Sequence, residues 1–382
     1  CGDGALASTG ETTMQRRHAL SLGGFGLAGS ALPMPAIAQE RTRWRMVTTW
    51  PKDAPGVGTS AQRLADRIGQ MSGGRLEVEL FAAGELVPAF EALDAVQRGV
   101  AEMSHSASFF WLGKSPALNY FGSIPFGLTK TEIEGWLYMG GGAALWRDAM
   151  APFDVLPFYA GSSATSAGGW FRKEIKAVDD LDGLKIRMAG LGGEVMRRLG
   201  ATPVLTPPSE VFQAMSTGTV DAAELIGPWA DQAFGLDRIA DYYYVPGFHE
   251  VGPTAEVLIS RAAFEELPAD LQALVEAAIM AEAMAYGAEY RFHNVLALTG
   301  LVRERGVELR VYPEEVIEAL GRTALEVLEE LGATNELTRT IHASYMAFLE
   351  QAIPYSDWFD RRILAQRSTG LAPLVAGWPG KT

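Results

Sequence analysis

Strict alternation of apolar and polar positions marks a strand at residues 182–188, where DGLKIRM sets Leu184, Ile186 and Met188 against Lys185 and Arg187. Gly190, Gly192 and Gly193 then predict a tight turn, and EVMRRL starts a helix that Gly200 closes. The pattern puts Arg187 at the carboxyl end of a strand, on the face away from the apolar one. In open α/β sheets that edge is where ligands bind, and a fork-shaped permanent cation suits a carboxylate. On spacing alone, a surface ion pair explains Arg187 as readily. Arg187→Ala at such an exposed position is expected to spare the fold.

The same alternation predicts strands over RWRMVTTW (43–50), RLEVELF (75–81) and AEMSHSA (101–107). Between them, Leu64, Ala65 and Ile68, and later Phe90, Leu93, Val96 and Val100, recur at helical spacing. This rhythm is that of an α/β domain with a largely parallel sheet. A second group begins near Val155 with the strand VLPFYAGSS, and continues through DGLKIRM, TVDAAEL (219–225) and AEVLIS (255–260). A very long helical pattern runs from Leu267 to Gly306, followed by VELRVYP and further helices to the carboxyl end. Two α/β units joined more than once, with one long spanning helix, is the expected architecture.

The chain has 382 residues, enough for two domains, and its 48% apolar and 20% charged content is that of a folded chain. A net charge of −14 argues against a nucleic-acid surface. It leaves an anionic ligand open, because one local arginine outweighs distant acids. The only cysteine is Cys1, which excludes cysteine catalysis and cysteine metal clusters from the rest of the chain.

From Met14, Arg16 and Arg17 form a basic segment, Ala19–Leu32 an apolar one, and Ala36-Ile37-Ala38 a cleavage site of the A-x-A kind. The expectation is an exported protein, periplasmic in location, with a mature start near Gln39. Paired arginines and a glycine-rich apolar segment resemble a twin-arginine signal.

Catalytic motifs fail. The G-x-G-x-x-G at Gly24–Gly29 lies inside the signal, and Gly113-Lys114-Ser115 lacks the first glycine of a phosphate loop. His249-Glu250 has no second histidine at metal spacing, and no Gly-x-Ser-x-Gly elbow occurs.

Several blocks taken together resemble the solute receptors of tripartite ATP-independent periplasmic (TRAP) transporters of the DctP type. They are most similar to the branch that binds small 2-oxo and 2-hydroxy acids such as pyruvate and lactate. The blocks are TTWPKDAPGVGTSAQRLADRI, SGGRLEVELFAAGELVPAFEALDAVQRGVAEMSHSA, FFWLGKSPALNYFGSIPFGL, GGWFRKEI, GLKIRMAG, GTVDAAELIGP and YYYVPGFHE, in that order over 48–250, and the likeness extends over about 40–368.

The resemblance implies two α/β lobes around a cleft, with a long domain-spanning helix and a carboxyl-terminal helical extension. Residues 40–163 with about 254–288 would form lobe I, and 164–253 with about 289–334 lobe II. Residues 335–368 would be carboxyl-terminal helices able to join two copies, and 369–382 a tail. Arg187 matches the family's carboxylate-binding arginine, and Glu224 an acid that helps hold a Na⁺ or Ca²⁺ ion over the ligand. Phe109, Phe110, Trp170, Trp229 and Phe248 are offered as cleft walls.

This chain departs from the branch at Ser162 and Ser166, where Asn and Gln are common, at Leu225, where an aromatic residue is, and at Trp229, where Tyr or a similar residue is. Ser166 is a poorer oxygen donor to a hard cation than Gln, while the carbonyl of Leu225 remains available. Smaller side chains at 162, 166 and 225 leave room for a bulkier acid than pyruvate. The resemblance implies a binder without catalysis or cofactor, its partners being an organic acid, the membrane subunits of the transporter and a second copy of itself. The alternatives are an exported enzyme using Arg187 as clamp with Glu224 or Asp221 as acid–base, or the ligand-sensing partner of a sensor kinase.

Overall fold

A computed structural model describes residues 41–376 and Trp378. The signal segment and the last residues of the tail lie outside this range. In chain order the strands are β1 (Thr42–Thr48), β2 (Leu76–Phe81), β3 (Met103–Ser106), β4 (Val155–Ser162), β5 (Gly169–Phe171), β6 (Lys185–Arg187), β7 (Thr202–Val204), β8 (Ala222–Ala223), β9 (Tyr242–Tyr244), β10 (Thr254–Ser260) and β11 (Glu308–Arg310).

They form two sheets, and so two lobes. The first runs β2-β1-β3-β10-β4 and the second β11-β9-β5-β8-β6-β7. In the first, β1 is parallel to β2 and β3, while β10 is antiparallel to both β3 and β4. The strand over 155–162 therefore closes the first sheet and does not open the second group. Three segments pass between the sheets: 163–168, 245–253 and the helix Ala269–Arg303.

That 35-residue helix carries apolar residues on several faces: Ile279, Tyr286 and Tyr290 are buried, while Met280, Met284, Phe292, Val295 and Leu296 stay exposed. In the first lobe its buried Glu282 accepts from Ser60 Oγ at 3.0 Å and Arg63 Nε at 2.8 Å. Arg63 also reaches Glu289 about two turns further on. A buried carboxylate without such partners would be costly, so this network ties the helix to Val57–Met71. Further along, Asn294 Oδ1 accepts from the backbone N–H of Trp229, which opens the second lobe's helix Pro228–Ala233.

Two more helices, Glu314–Gly332 and Glu336–Ser356, pack on each other, the second capped by Asn335, whose side chain accepts from Thr338 N at 2.8 Å. Beyond Ser356 the character changes. Residues 357–376 bury nothing, and Trp358, Phe359, Ile363, Leu364 and Leu374 are all more than half exposed. Among the described residues no helix is long and apolar enough to cross a membrane.

Candidate functional site

The two short strands β6 and β8 lie side by side and parallel, so their carboxyl ends bring Arg187 and Glu224 together. Glu224 N donates to the Arg187 carbonyl at 3.1 Å, which fixes the register of the pair. Arg187 is only 2% exposed, contrary to the solvated strand-end position read from alternation. Its Nε donates to the Thr206 carbonyl at 3.2 Å, and its Nη1 to the carbonyl and Oε1 of Glu224 at 2.8 and 2.6 Å. The guanidinium has five donor hydrogens, and Nη2 makes none of these bonds. The fork is thus anchored at one prong and open at the other.

Glu224 Oε1 also accepts from Ala189 N, at the start of the helix Gly190–Arg198. The glycines expected to form a turn are the first turn of that helix. Gly192 has a packing reason: a Cβ there would stand 2.4 Å from Cβ of His249. Only hydrogen fits.

His249 and Glu250 complete the cluster. His249 Nε2 lies 3.3 Å from Glu224 Oε2 without the alignment of a hydrogen bond. Both ring nitrogens and Glu224 Oε2 lack a hydrogen-bond partner although buried. Glu250 Oε2 accepts from Ser166 Oγ at 2.9 Å. One ligand atom from each of Glu224, His249 and Glu250 falls within 4.8 Å of the others. The carboxylate oxygens of the two acids, one of them orphaned, suit a hard cation; the imidazole nitrogens of His249 do not add to that fit.

Electrostatics separate the two acids. Burial favours the neutral form of Glu224, but the Arg187 charge and the contacts from His249 and Ala189 hold its carboxyl below the usual range. Burial, and then the Glu224 charge, push Glu250 up to about 7. Burial opposes a charged His249, yet its contact with Glu224 and the two carboxylates raise it above its ordinary value.

A pH dependence follows. Above the ordinary carboxylate range the unfolded chain releases the Glu250 proton while the folded chain retains it up to about pH 7. Stability therefore falls as pH rises from the ordinary carboxylate range towards 7. His249, also raised, loses its contribution in the same direction. Glu224, lowered, is ionised in both states across that window. In chelator, the melting temperature is expected to be higher at pH 5 than at pH 8. Glu250→Gln should flatten that slope in a calorimetric scan.

Beside the cluster lies a cavity of about 40 Å³. The first lobe borders it with Trp50, Phe109 and Phe110, the second with Arg187 and Leu225, and Tyr286 of the long helix and Glu250 close it. The phenyl rings meet edge to face at 4.7 Å, and Trp50 tilts on Phe110 at 5.7 Å. One water needs about 10–15 Å³ on this scale, so the space holds roughly three water-sized groups.

The remaining sequence-predicted residues divide. Leu225 borders the cavity and Ser166 reaches it through Glu250. Ser162 turns away and accepts from Ala164 N; its neighbour Ser163 lines the cavity instead. Phe248 is buried against Phe126, and Trp170 is stacked on Tyr243 at 4.1 Å. Trp229 is stacked on His293 of the long helix at 4.3 Å. None of these three rings borders the cavity. Both hydroxyls are engaged locally, and the open space beside Ser166 lies on the far side of its loop, away from the cleft cavity. Trp50, Tyr286, His249 and Glu250 were not singled out as site residues. The GFHE run was in view, but histidine spacing along the chain cannot show an acid arriving from another strand.

Two α/β lobes about a small, charged, largely enclosed cleft define a solute receptor. The chain belongs to the bacterial extracellular solute-binding proteins of family 7, whose model matches residues 46–335. Among its relatives is the monocarboxylate 2-oxoacid-binding periplasmic protein all3028 of Nostoc sp. (strain PCC 7120), 38% identical over 90% of this chain and 96% of that protein. A TRAP periplasmic solute-binding protein from Pseudoalteromonas atlantica, solved with sodium and pyruvate, superposes with a TM-score of 0.82. It is 34% identical over 85% of this chain and 99% of its own. A TRAP solute-binding protein from Bordetella bronchiseptica, a mixed-occupancy dimer with calcium and picolinate, gives 0.85 and 34% over 87% and 99%.

Proposed function

We propose that this chain is the extracytoplasmic receptor of a TRAP transporter, binding a small 2-oxo or 2-hydroxy monocarboxylate such as pyruvate or lactate and delivering it to the membrane subunits. The carrying observation is Arg187, anchored through Nε and Nη1, open at Nη2, and bordering a cavity of about 40 Å³. A carboxylate there gains a charge-assisted bond in a dry site. The aromatic wall of Trp50, Phe109 and Phe110 covers the short apolar end.

The ligand's oxygens would share a Na⁺ or Ca²⁺ ion; the two solved relatives hold sodium with pyruvate and calcium with picolinate. Here Glu224, Glu250 and the Leu225 carbonyl are the oxygen donors. Glu250 takes the part expected of Ser166, whose hydroxyl it already engages. The ion neutralises the two acids and lets the ligand's second oxygen dock beside them. The role is binding, with no turnover. The mature chain works in the periplasm, exported by the twin-arginine route.

A thermal-shift screen of small carboxylic acids tests this reading. A ligand at a hundred times its Kd adds about 2.7 kcal/mol. The expected result is a clear rise with one small 2-oxo or 2-hydroxy acid; rises only with sugar acids or dicarboxylates would overturn it.

The exposed apolar tail, 357–376, also finds its use in this reading as the contact between two receptors. A contiguous apolar surface of this kind marks an interaction site. The full mature chain is expected to be a dimer by light scattering, and a chain ending at Ser356 a monomer. Unchanged mass after truncation would remove the tail from the interface.

A further inference from the structure

The segment that joins β4 to β5 has two sides. Ser166 faces the cleft through its bond to Glu250. Behind it, the backbone of 163–167 borders a second, larger cavity of about 360 Å³. Val245 and Pro246 close one wall, and Arg291, Asn294, Val295 and Leu298 of the long helix the other. This volume is in the range of small-molecule sites, and nine times that of the cleft cavity on the same scale (360 against 40 Å³).

Its chemistry is that of an anion site with an apolar floor. No acidic residue borders it, although the chain carries a net charge of −14. Arg291 makes no hydrogen bond or ion pair among the described residues, so its fork is uncommitted. Asn294 spends its Oδ1 on Trp229 N and keeps both amide hydrogens for another partner. Valine, proline and leucine side chains supply the remaining lining.

We propose that this cavity binds a second small molecule, an amphipathic monoanion such as an aromatic carboxylate, with its charge on Arg291 and Asn294 and its apolar body against Val295, Leu298 and Pro246. The site is independent of what the cleft binds. It is nonetheless attached to the cleft. The Ser166 carbonyl accepts from Gly247 N, and Ala167 N donates to the Ile226 carbonyl beside Leu225. Ala164, in the same loop, holds a left-handed φ of 63° that a non-glycine residue seldom adopts.

Co-crystals of the mature chain with 4-bromobenzoate locate the probe by bromine anomalous scattering, and benzoate titrations followed by NMR measure its affinity. Arg291 and Val295 are exposed, so Arg291→Glu and Val295→Asp should fold normally. The expected result is bromine between the 163–167 loop and the long helix, with benzoate affinity reduced about tenfold or more in each variant. Neutral benzamide should bind more weakly than benzoate. Bromine in the cleft alone, no binding of either probe, or affinity indifferent to Arg291→Glu would each overturn the assignment.

Discussion

Arg187→Ala is expected to abolish carboxylate binding and to destabilise the protein by about 3–5 kcal/mol, the range for breaking a buried ion pair. The substitution removes the open prong that would receive the ligand. It also strips Glu224, fully buried, of the charge 2.6 Å away that keeps it ionised. The expectation from alternation, that this position could be emptied without harm to the fold, fails because Arg187 is buried. The two effects separate in a double variant. Arg187→Met with Glu224→Gln removes both charges at similar volume, so stability should largely return while binding does not. Calorimetric melting and titration with pyruvate measure the two quantities. Binding retained in either variant would take Arg187 out of the site.

Glu224→Gln alone is the second large effect. The amide oxygen can still accept from Ala189 N and Arg187, which softens the change, but the buried Arg187 charge loses its counter-ion, so stability should fall by about 3 kcal/mol as well. The amide cannot offset the cation's charge, and the orphaned Oε2 becomes an orphaned amide. Ligand affinity is expected to fall about a hundredfold, close to 2.7 kcal/mol. What remains should no longer respond to chelator. Titrations with and without chelator, in the wild type and the variant, read this directly. Equal chelator sensitivity in both proteins would place the ion elsewhere.

Much of the architecture was legible because its causes are local. Period-2 runs such as DGLKIRM made strands, and the unbroken helical pattern after Leu267 made one long helix. Strand rhythm alone puts 155–162 in the second group, unlike the lobe bounds that the resemblance implies, and it fails there because strand order is not a local property. That strand pairs with β10, about a hundred residues away. Arg187 and Glu224 stood out through their neighbours in sequence and through family resemblance. Their burial did not, because it depends on the 163–168 and 245–253 segments crossing above them. Aromatic residues were the least legible: Phe109 and Trp229 look alike in sequence, and only packing separates a cavity wall from a ring clamped on a helix. The His249-Glu250 pair looks unpromising along the chain for the same reason; the importance of Glu250 lies in meeting Ser166 and Glu224 from a different stretch of chain.

Isothermal titration of the mature protein with pyruvate, repeated after chelation, tests the central claim most directly. The account predicts one site per chain, saturable binding that requires Arg187, and a marked loss of affinity when the cation is removed. Absence of binding to pyruvate and to every other small 2-oxo or 2-hydroxy acid, or conversion of the acid into product, would contradict it.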